Sequence, residues 1–192
     1  MAISKPRERI LAAATRLFYE EGIHATSIDH IIEEADVAPM TVYRQFGNKD
    51  GVLMATLDRW SDQWLGWLRV EVEHGGADPR ARLDSLWDAL EKWFAAEGFR
   101  GSYIANVATE LRSKPAHPAH RTIATHRTAM RELLQDIALA CGASHPHAAA
   151  LQLHMLIDGA IAVAVVDRQP GAATSARTMA TTLFPTPHPS SR

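Results

Sequence analysis

The chain has 192 residues, a formal net charge of −2 at pH 7 and 46% hydrophobic residues. This length can bury a sizeable core, and because alternation of the strand type is nearly absent, we predict an all-α fold. A single cysteine, Cys141, excludes an internal disulfide and fits a reducing cytoplasm. No long apolar run with a cleavage site follows the charged N-terminus, so we expect no signal peptide.

Three helices are predicted in the first 50 residues. The first runs from about Pro6 to Glu21 and ends at Gly22, a usual residue after a helix. The second begins at Thr26, whose hydroxyl can cap it, and ends at Asp36, because Asp tolerates the left-handed conformation of a sharp turn. The third begins at Pro39, since proline is favoured in a first helical turn. Their shared core is predicted to hold Ile10, Leu17, Phe18, Ile28, Ile31, Ile32, Ala35, Val42 and Phe46.

The outer face of the third helix carries small, hydroxyl, aromatic and basic side chains. A second helix of this kind, placed after a tight turn, is typical of an element that reads the major groove of DNA. Thr41 and Met40 can touch a thymine methyl, and Arg44 can reach a guanine or a phosphate. The alternative is an ordinary solvated helix face. We predict that the bases are read by Pro39, Met40, Thr41 and Arg44.

The run Val37–Lys49, which includes Thr41 and Tyr43, resembles the TetR family of transcriptional regulators. Two residues depart from the family pattern, since Asp36 stands where Gly is usual and Ala38 where a capping Ser is common. The loss of a capping side chain costs about 1 kcal/mol, so we expect the reading helix to be anchored less firmly.

The resemblance implies phosphate contacts by Thr26, Tyr43 and Lys49. Residues 1–50 nevertheless hold six basic and eight acidic side chains, a net charge of −2. Because few phosphates can then be neutralised, we expect modest non-specific affinity and a shallow salt dependence. The cations of the N-terminal arm are Lys5, Arg7 and Arg9.

Six more helices are predicted after this head. A long one, capped by Asn48, runs from Lys49 to about His74 and connects head to body, so that a shift at its far end can move the reading helix. The others run from Pro79 to Gly98, Arg100 to Ser113, Ala119 to Cys141, Pro146 to Asp167 and Ala173 to Phe184. The predicted domains are a DNA-binding head at 5–50 with its motif at about 27–46, a ligand-binding and dimerisation body at 51–184, and a disordered tail at 185–192.

The helix that begins at Pro146 is almost continuously apolar and long enough to span a membrane. His154 and Asp158 near its middle argue against a span, because ionisable groups are costly in lipid. We therefore expect this helix to be buried against a second copy of the chain. The resemblance implies a homodimer joined by a four-helix bundle of the last two helices. Its two reading helices, about 34 Å apart, would select a near-palindromic site in double-stranded DNA.

Trp60, Trp64 and Trp67 recur at helical spacing, a pattern that more often reflects core packing than a ligand cage. The resemblance, however, implies a body cavity for a small effector, and these rings would suit an apolar or aromatic one. The predicted effector pocket comprises Trp60, Trp64, Trp67, Trp87, Phe94, Tyr103, Asn106, Glu110, His126, Met130, His154 and Asp158.

Histidines are frequent enough to raise the question of a metal site. His117 and His120 lie in a proline-containing turn without cysteine or carboxylate partners at ligand spacing, so we predict solvated side chains and no metal or cofactor. His154 and Asp158, four residues apart, could form an acid–base pair, but a satisfied buried polar pair is the more ordinary interpretation.

The sequence therefore predicts a dimeric, cytoplasmic repressor that a small effector releases from its operator. One alternative is a helix-turn-helix regulator without an effector. Another is an enzyme built on an all-helical body, although no nucleophile elbow, phosphate loop or ligand set supports it.

Overall fold

The computed structural model describes residues 5–169 and 171–184, and these residues form an all-α structure. This confirms the predicted fold class. The helices of the described part are α1 (Pro6–Glu20), α2 (Ile28–Ala35), α3 (Pro39–Phe46), α4 (Lys49–Glu73), α5 (Pro79–Phe94), α6 (Tyr103–Glu110), α7 (Ala119–Ala140), α8 (Pro146–Val166) and α9 (Ala172–Thr181). The predicted tail at 185–192 lies outside the described residues.

Three predicted helices are longer than the observed ones, and one of them, α9, ends at Thr181 instead of Phe184. α5 ends at Phe94, four residues before the predicted stop at Gly98, because the chain turns through 95–100 and packs Phe99 against Phe94. α6 begins only at Tyr103, since the Ser102 hydroxyl accepts a hydrogen bond from the Ala105 N–H and so caps the helix there.

Contacts divide the chain into two compact units. Of the described residues, the first unit contains 5–64 and Ser102–His126, and the second contains Leu65–Gly101 and those from Arg127 to Phe184. α4 runs unbroken through the predicted domain boundary after residue 50, so that boundary stays a prediction.

The first unit has one core that α6 shares with the predicted head. Tyr103 is fully buried and its hydroxyl lies 2.9 Å from that of Thr56, while the loss of solvent raises the pKa of the phenol. A helix far along the sequence therefore belongs to the packing of the DNA-binding region. The core of this unit includes Ile10, Leu17, Phe18, Ile31, Val42, Leu53, Leu57, Tyr103, Ile104 and Val107.

The N-cap of α2 is Ser27, and the prediction of Thr26 is wrong. The Ser27 hydroxyl accepts from the His30 N–H at 3.0 Å. Thr26 is fully buried, and its hydroxyl donates to the Gly22 carbonyl at 2.8 Å. The turn after α1 brings that carbonyl over Thr26, which leaves the neighbouring hydroxyl at the helix start.

The second unit is held together by contacts of α9 with α5 and α8. Arg177 of α9 forms ion pairs of 2.9 Å with both Asp84 and Asp88 of α5. Trp87 of α5 is 1% exposed and belongs to the largest buried side chains.

α8 is buried on one side only. Its inner face carries Leu153, His154 and Ile157, whereas Leu151 and Met155 on the other face are 52% and 65% exposed. By length and composition alone, α8 is also apolar enough to cross a membrane. Within the protein, 39% of its most apolar 18-residue segment is buried. The expectation that an apolar helix is buried all round is thus met on one face, and the other face stays open to a partner.

We expect the second unit to become less stable as the pH is lowered from about 6.5. Burial lowers the pKa of His154 from its ordinary value of 6.5, with Asp158 acting against the shift and Arg127 and Arg131 acting with it. The folded state therefore binds fewer protons than the unfolded state below pH 6.5, and stability is lost as the pH falls from there.

Urea unfolding at about pH 7.5 and about pH 5.5 measures this loss. His154→Gln should shrink the difference between the two pH values, while the exposed His145→Gln should leave it unchanged. An equal difference in the wild type and His154→Gln would contradict the role of His154.

Candidate nucleic-acid interface

The turn between α2 and α3 has the geometry that the sequence predicted. Asp36 has φ 48° and ψ 56°, in the left-handed region, and its N–H bonds the carbonyls of Ile32 and Glu33. Arg9 of α1 fixes this turn, since its guanidinium bonds the Ala35 carbonyl at 2.9 Å, the Asp36 carbonyl, and the Asp36 carboxylate at 2.9 Å. The turn is therefore anchored on α1, and the charge of Arg9 is paired with Asp36 at the surface of the head.

α3 presents the predicted outer face. It begins at Pro39, and Ala38 before it makes no capping hydrogen bond through its side chain. Val42 is fully buried, whereas Met40 is 73% exposed and Tyr43 41% exposed. Arg44 and Pro39 are also exposed, and Thr41 is half-buried. All four predicted base-reading side chains thus lie on a helix whose opposite face anchors it in the core.

Gln45 is an additional exposed side chain on α3 that the sequence analysis did not select. It follows Thr41 by four residues and so shares its helix face. Its amide can donate and accept hydrogen bonds at an adenine edge. The signal was available in the sequence, because Gln45 lies one turn beyond a predicted base-reading residue.

Two of the three predicted phosphate-binding groups remain accessible. The Tyr43 ring is exposed beside Met40, and Lys49 is half-buried at the start of α4. Loss of solvent lowers the pKa of the Lys49 amine, and Asp50 and Glu110 act in the opposite sense. Thr26 is different, because its buried hydroxyl is already bonded to the protein and does not face a duplex. Its predicted phosphate contact is not compatible with this geometry, and the exposed Ser27 is the nearest hydroxyl.

Arg7 and Arg9, predicted to lie in an N-terminal arm, belong to the first turn of α1, and Arg7 contacts the end of α3. The guanidinium of Arg7 lies 5.6 Å from the centre of the Phe46 ring. Asn48 follows and accepts from the Gly51 N–H at 2.9 Å, which confirms it as the cap of α4. The cation of Arg7 therefore lies close to the end of α3, directly before the start of α4.

Glu110 of α6, predicted to line the effector pocket, holds the loop after α1. Its carboxylate accepts from the backbone N–H of Ile23 at 2.9 Å and of His24 at 3.1 Å. The loop passes so close that a Cβ added at Gly22 would lie 3.1 Å from a carboxylate oxygen. The Glu110 carboxylate therefore holds the loop after α1 in place, and its oxygens are already used as acceptors there.

Replacing Glu110 with alanine should lower the free energy of unfolding by about 2–3 kcal/mol, because bonds to a charged acceptor are lost and the Ile23 N–H is left partly buried. Glu110→Gln keeps an acceptor oxygen and should cost about 1 kcal/mol. Urea unfolding measures both, with the exposed Glu132→Ala as the matched control. Equal stability of Glu110→Ala and Glu132→Ala would show that the contact contributes nothing.

The other predicted pocket residues divide between the two units. In the first unit the Trp60 and Trp64 rings stack with centres 5.8 Å apart, and both lie against His126 at 5.6 Å and 5.7 Å. His126 is held by Ser61, whose hydroxyl lies 2.9 Å from its Nδ1. Tyr103 completes this aromatic cluster, 6.0 Å from Trp60. Asn106 and Glu110 also belong to the first unit, and the second unit contains Trp67, Trp87, Phe94, Met130, His154 and Asp158.

Two of the six predicted pocket residues in the second unit belong to its hydrophobic core, since Trp87 and Met130 are 1% and 2% exposed. His154 is also buried, and its Nε2 lies 3.9 Å from the Asp158 carboxylate, which Arg127 holds at 3.0 Å. Phe94 is the member of the predicted set that lines a cleft found in the second unit. The pocket as a whole stays a prediction.

The turn histidines have structural contacts, and the prediction of solvated side chains is wrong for His117, whose side chain is 8% exposed. His117 accepts from the Ala119 N–H through Nδ1 and lies 3.4 Å from the Asp50 carboxylate through Nε2. His120 bonds the Lys114 carbonyl. Within 5–169 and 171–184, no three His, Cys, Asp or Glu side chains converge as a metal would require.

Comparison with known proteins agrees with this geometry. Residues 10–56 match the model of the family described as bacterial regulatory proteins, tetR family. The crystal structure of a TetR-family transcriptional regulator from Streptomyces coelicolor is 31% identical and has a TM-score of 0.81, over 94% of this chain and 89% of that one.

Two curated relatives are similar over shorter stretches. The HTH-type transcriptional regulator HbdR of Aromatoleum sp. (strain CIB) is 39% identical over 86 residues, 44% of this chain. The HTH-type transcriptional repressor ComR of Escherichia coli (strain K12) is 25% identical over 130 residues, 67% of this chain. The matches span only 37% and 62% of those two relatives.

Proposed function

Because this chain belongs to the TetR family of transcriptional regulators, a DNA-binding family whose members are not enzymes, we propose that it is a homodimeric repressor in the cytoplasm that a small organic effector releases from a near-palindromic operator. The observation that carries the DNA-binding part is the outer face of α3. It exposes Met40, Tyr43 and Arg44 on a helix held from behind by Val42 and fixed at its first end by the turn at Asp36.

The exposed side of α8 supports the homodimer. Leu151, Met155, Val163 and Val166 recur along one face and are 38–78% exposed. Met179 on α9, 53% exposed, adds to the apolar surface of the last two helices. An apolar stripe of this length is costly in water and is typical of a protein–protein interface. A second copy of the same stripe is the self-complementary partner that a two-fold dimer provides.

The effector is proposed to act by differential affinity. It must bind the DNA-free protein more tightly than the operator-bound protein, and operator affinity then falls by the ratio of those two affinities. α4 is the element through which such a change would pass, because it starts directly after α3 and continues unbroken into the second unit.

A second candidate function is a helix-turn-helix regulator that acts without a small-molecule effector. The stacking of Trp60 on Trp64, and the Ser61 hydrogen bond that holds His126 against both rings, favour an interpretation as aromatic core.

In vitro selection of DNA by the purified protein at low salt, beside Tyr43→Ala, tests the proposal. We expect the wild type to enrich a near-palindrome and the variant to enrich it more weakly, because the variant loses a phosphate contact in each half-site. If neither protein enriches a sequence, or if both enrich it equally, α3 does not read DNA as described.

A further inference from the structure

A cleft of about 710 Å³ lies in the second unit. One wall is the end of α5 with the following segment to Arg100, and the other is the end of α8 with Arg168 and Gln169. This volume is within the range of sites that bind small organic molecules. None of the residues that form the cleft, apart from Phe94, belongs to the pocket that the sequence predicted.

The first wall is aromatic. Phe94 and Phe99 line the cleft with ring centres 5.2 Å apart, and Trp93 braces Phe99 from an edge-on position at 5.0 Å. Both phenylalanines are half-buried, so their rings are held in place while part of each stays accessible. Val165 adds an apolar surface from α8. The cleft therefore offers a planar apolar group an aromatic surface on one wall and an aliphatic surface on the other.

The polar groups of the cleft favour a negative charge on that ligand. Arg100 and Arg168 line it together with one acid, Glu91. The Glu91 carboxylate already accepts from the Thr174 N–H at 3.2 Å and from its hydroxyl at 3.3 Å, so it is used to hold the start of α9.

Arg168 is the cation best placed to meet a ligand. It is exposed at the rim of the cleft, and no described residue forms an ion pair with it. Its backbone has φ 50°, the left-handed conformation in which a helix commonly ends, and it directly follows Asp167, the last residue that caps α8. A guanidinium can bind a carboxylate with two parallel hydrogen bonds.

We propose that this cleft binds a planar organic anion, with its aromatic body between Phe94, Phe99 and Val165 and its carboxylate on Arg168. The role of this ligand as an effector rests on the proposed function. Its binding to the cleft, in contrast, can be measured without DNA. The proposal assigns a chemical class to the ligand and places it away from the Trp60–Trp64 rings.

The binding test uses 1-naphthoate, with 1-naphthamide and 1-naphthylmethylamine as neutral and cationic analogues of the same ring. Calorimetric titration into the full-length protein should show that naphthoate binds at least ten times more tightly than either analogue. Arg168→Gln should weaken naphthoate at least tenfold and leave the amide unchanged. Phe99→Leu, which keeps apolar volume but removes the ring, should weaken both ligands.

Arg112→Gln in the first unit is the matched control for charge, and Trp64→Phe is the control for the other aromatic cluster. Both should bind naphthoate like the wild type, and circular dichroism and sedimentation of each variant check its fold and assembly. The proposal is overturned if naphthoate does not bind, if an analogue binds equally well, or if Trp64→Phe rather than Arg168→Gln weakens it. Because no DNA is present, none of these results bears on the reading of an operator.

Discussion

Replacing Arg44 with alanine is expected to weaken binding to the selected operator by about 30-fold or more. The Arg44 guanidinium is exposed on α3, and no acceptor for it lies among the described residues. A guanidinium contact to a guanine or a phosphate contributes about 1–3 kcal/mol, and a dimer makes the contact twice. The sum of at least about 2 kcal/mol corresponds to the stated loss. Fluorescence anisotropy of labelled operator DNA at fixed salt measures it.

Arg16→Ala is the matched control for this loss of charge. Arg16 lies on α1 and is already paired with Glu20 at 3.1 Å and with Glu34, so its charge is satisfied within the head. We expect its operator affinity to stay within about threefold of the wild type, since exposed ion pairs contribute little. Equal losses in Arg16→Ala and Arg44→Ala would mean that the effect is one of net charge and not of α3.

The second large effect is expected at Trp87. This side chain is 1% exposed in the core of the second unit, and truncation of a buried tryptophan to alanine costs about 3–5 kcal/mol. Trp87→Ala should therefore lower the free energy of unfolding by that amount. Urea unfolding at one fixed protein concentration measures it, because a dimer's stability depends on concentration.

Two variants on the same helix sharpen this prediction. The Trp87 indole N–H finds no acceptor among the described residues, so Trp87→Phe removes a buried, unpaired donor while it keeps most of the apolar volume. It should cost clearly less than Trp87→Ala, and the exposed Lys92→Ala should cost almost nothing. A Trp87→Ala variant as stable as Lys92→Ala would contradict the described core.

Local signals in the sequence were sufficient for most of the DNA-binding region. Pro39 marked the start of α3, Asp36 marked the left-handed turn before it, and Asn48 marked the cap of α4. Each of these depends on the conformation of one residue and its immediate neighbours. The direction of the α3 side chains followed in turn, because the spacing of Val42 and Phe46 sets which face is buried.

Contacts between distant residues were not predictable in this way. Glu110 looked like a pocket residue because Asn106 is four positions away on the same helix, but its carboxylate bonds a loop 87 residues earlier in the chain. The sequence also offered two adjacent hydroxyls at the start of α2, and only the position of the Gly22 carbonyl decides that Thr26 is buried and Ser27 is the cap.

The cleft of the second unit was missed for the same reason. Phe99 and Arg168 are 69 positions apart, and no local pattern connects them. The turn that brings Phe99 back onto Phe94 also ends α5 earlier than Gly98 suggested. The position of a ligand site therefore depended on tertiary packing, which periodicity does not specify.

The central claim, that α3 enters the major groove, is tested most directly by photo-crosslinking from position 40. Met40, 73% exposed, is replaced by p-benzoylphenylalanine, and the same residue at Leu139, 63% exposed on α7, is the control. After irradiation of the operator complex, we predict crosslinks from position 40 to bases in both half-sites and none from position 139. Crosslinks from position 139 alone, or none from position 40 in a complex that still forms, would contradict the account.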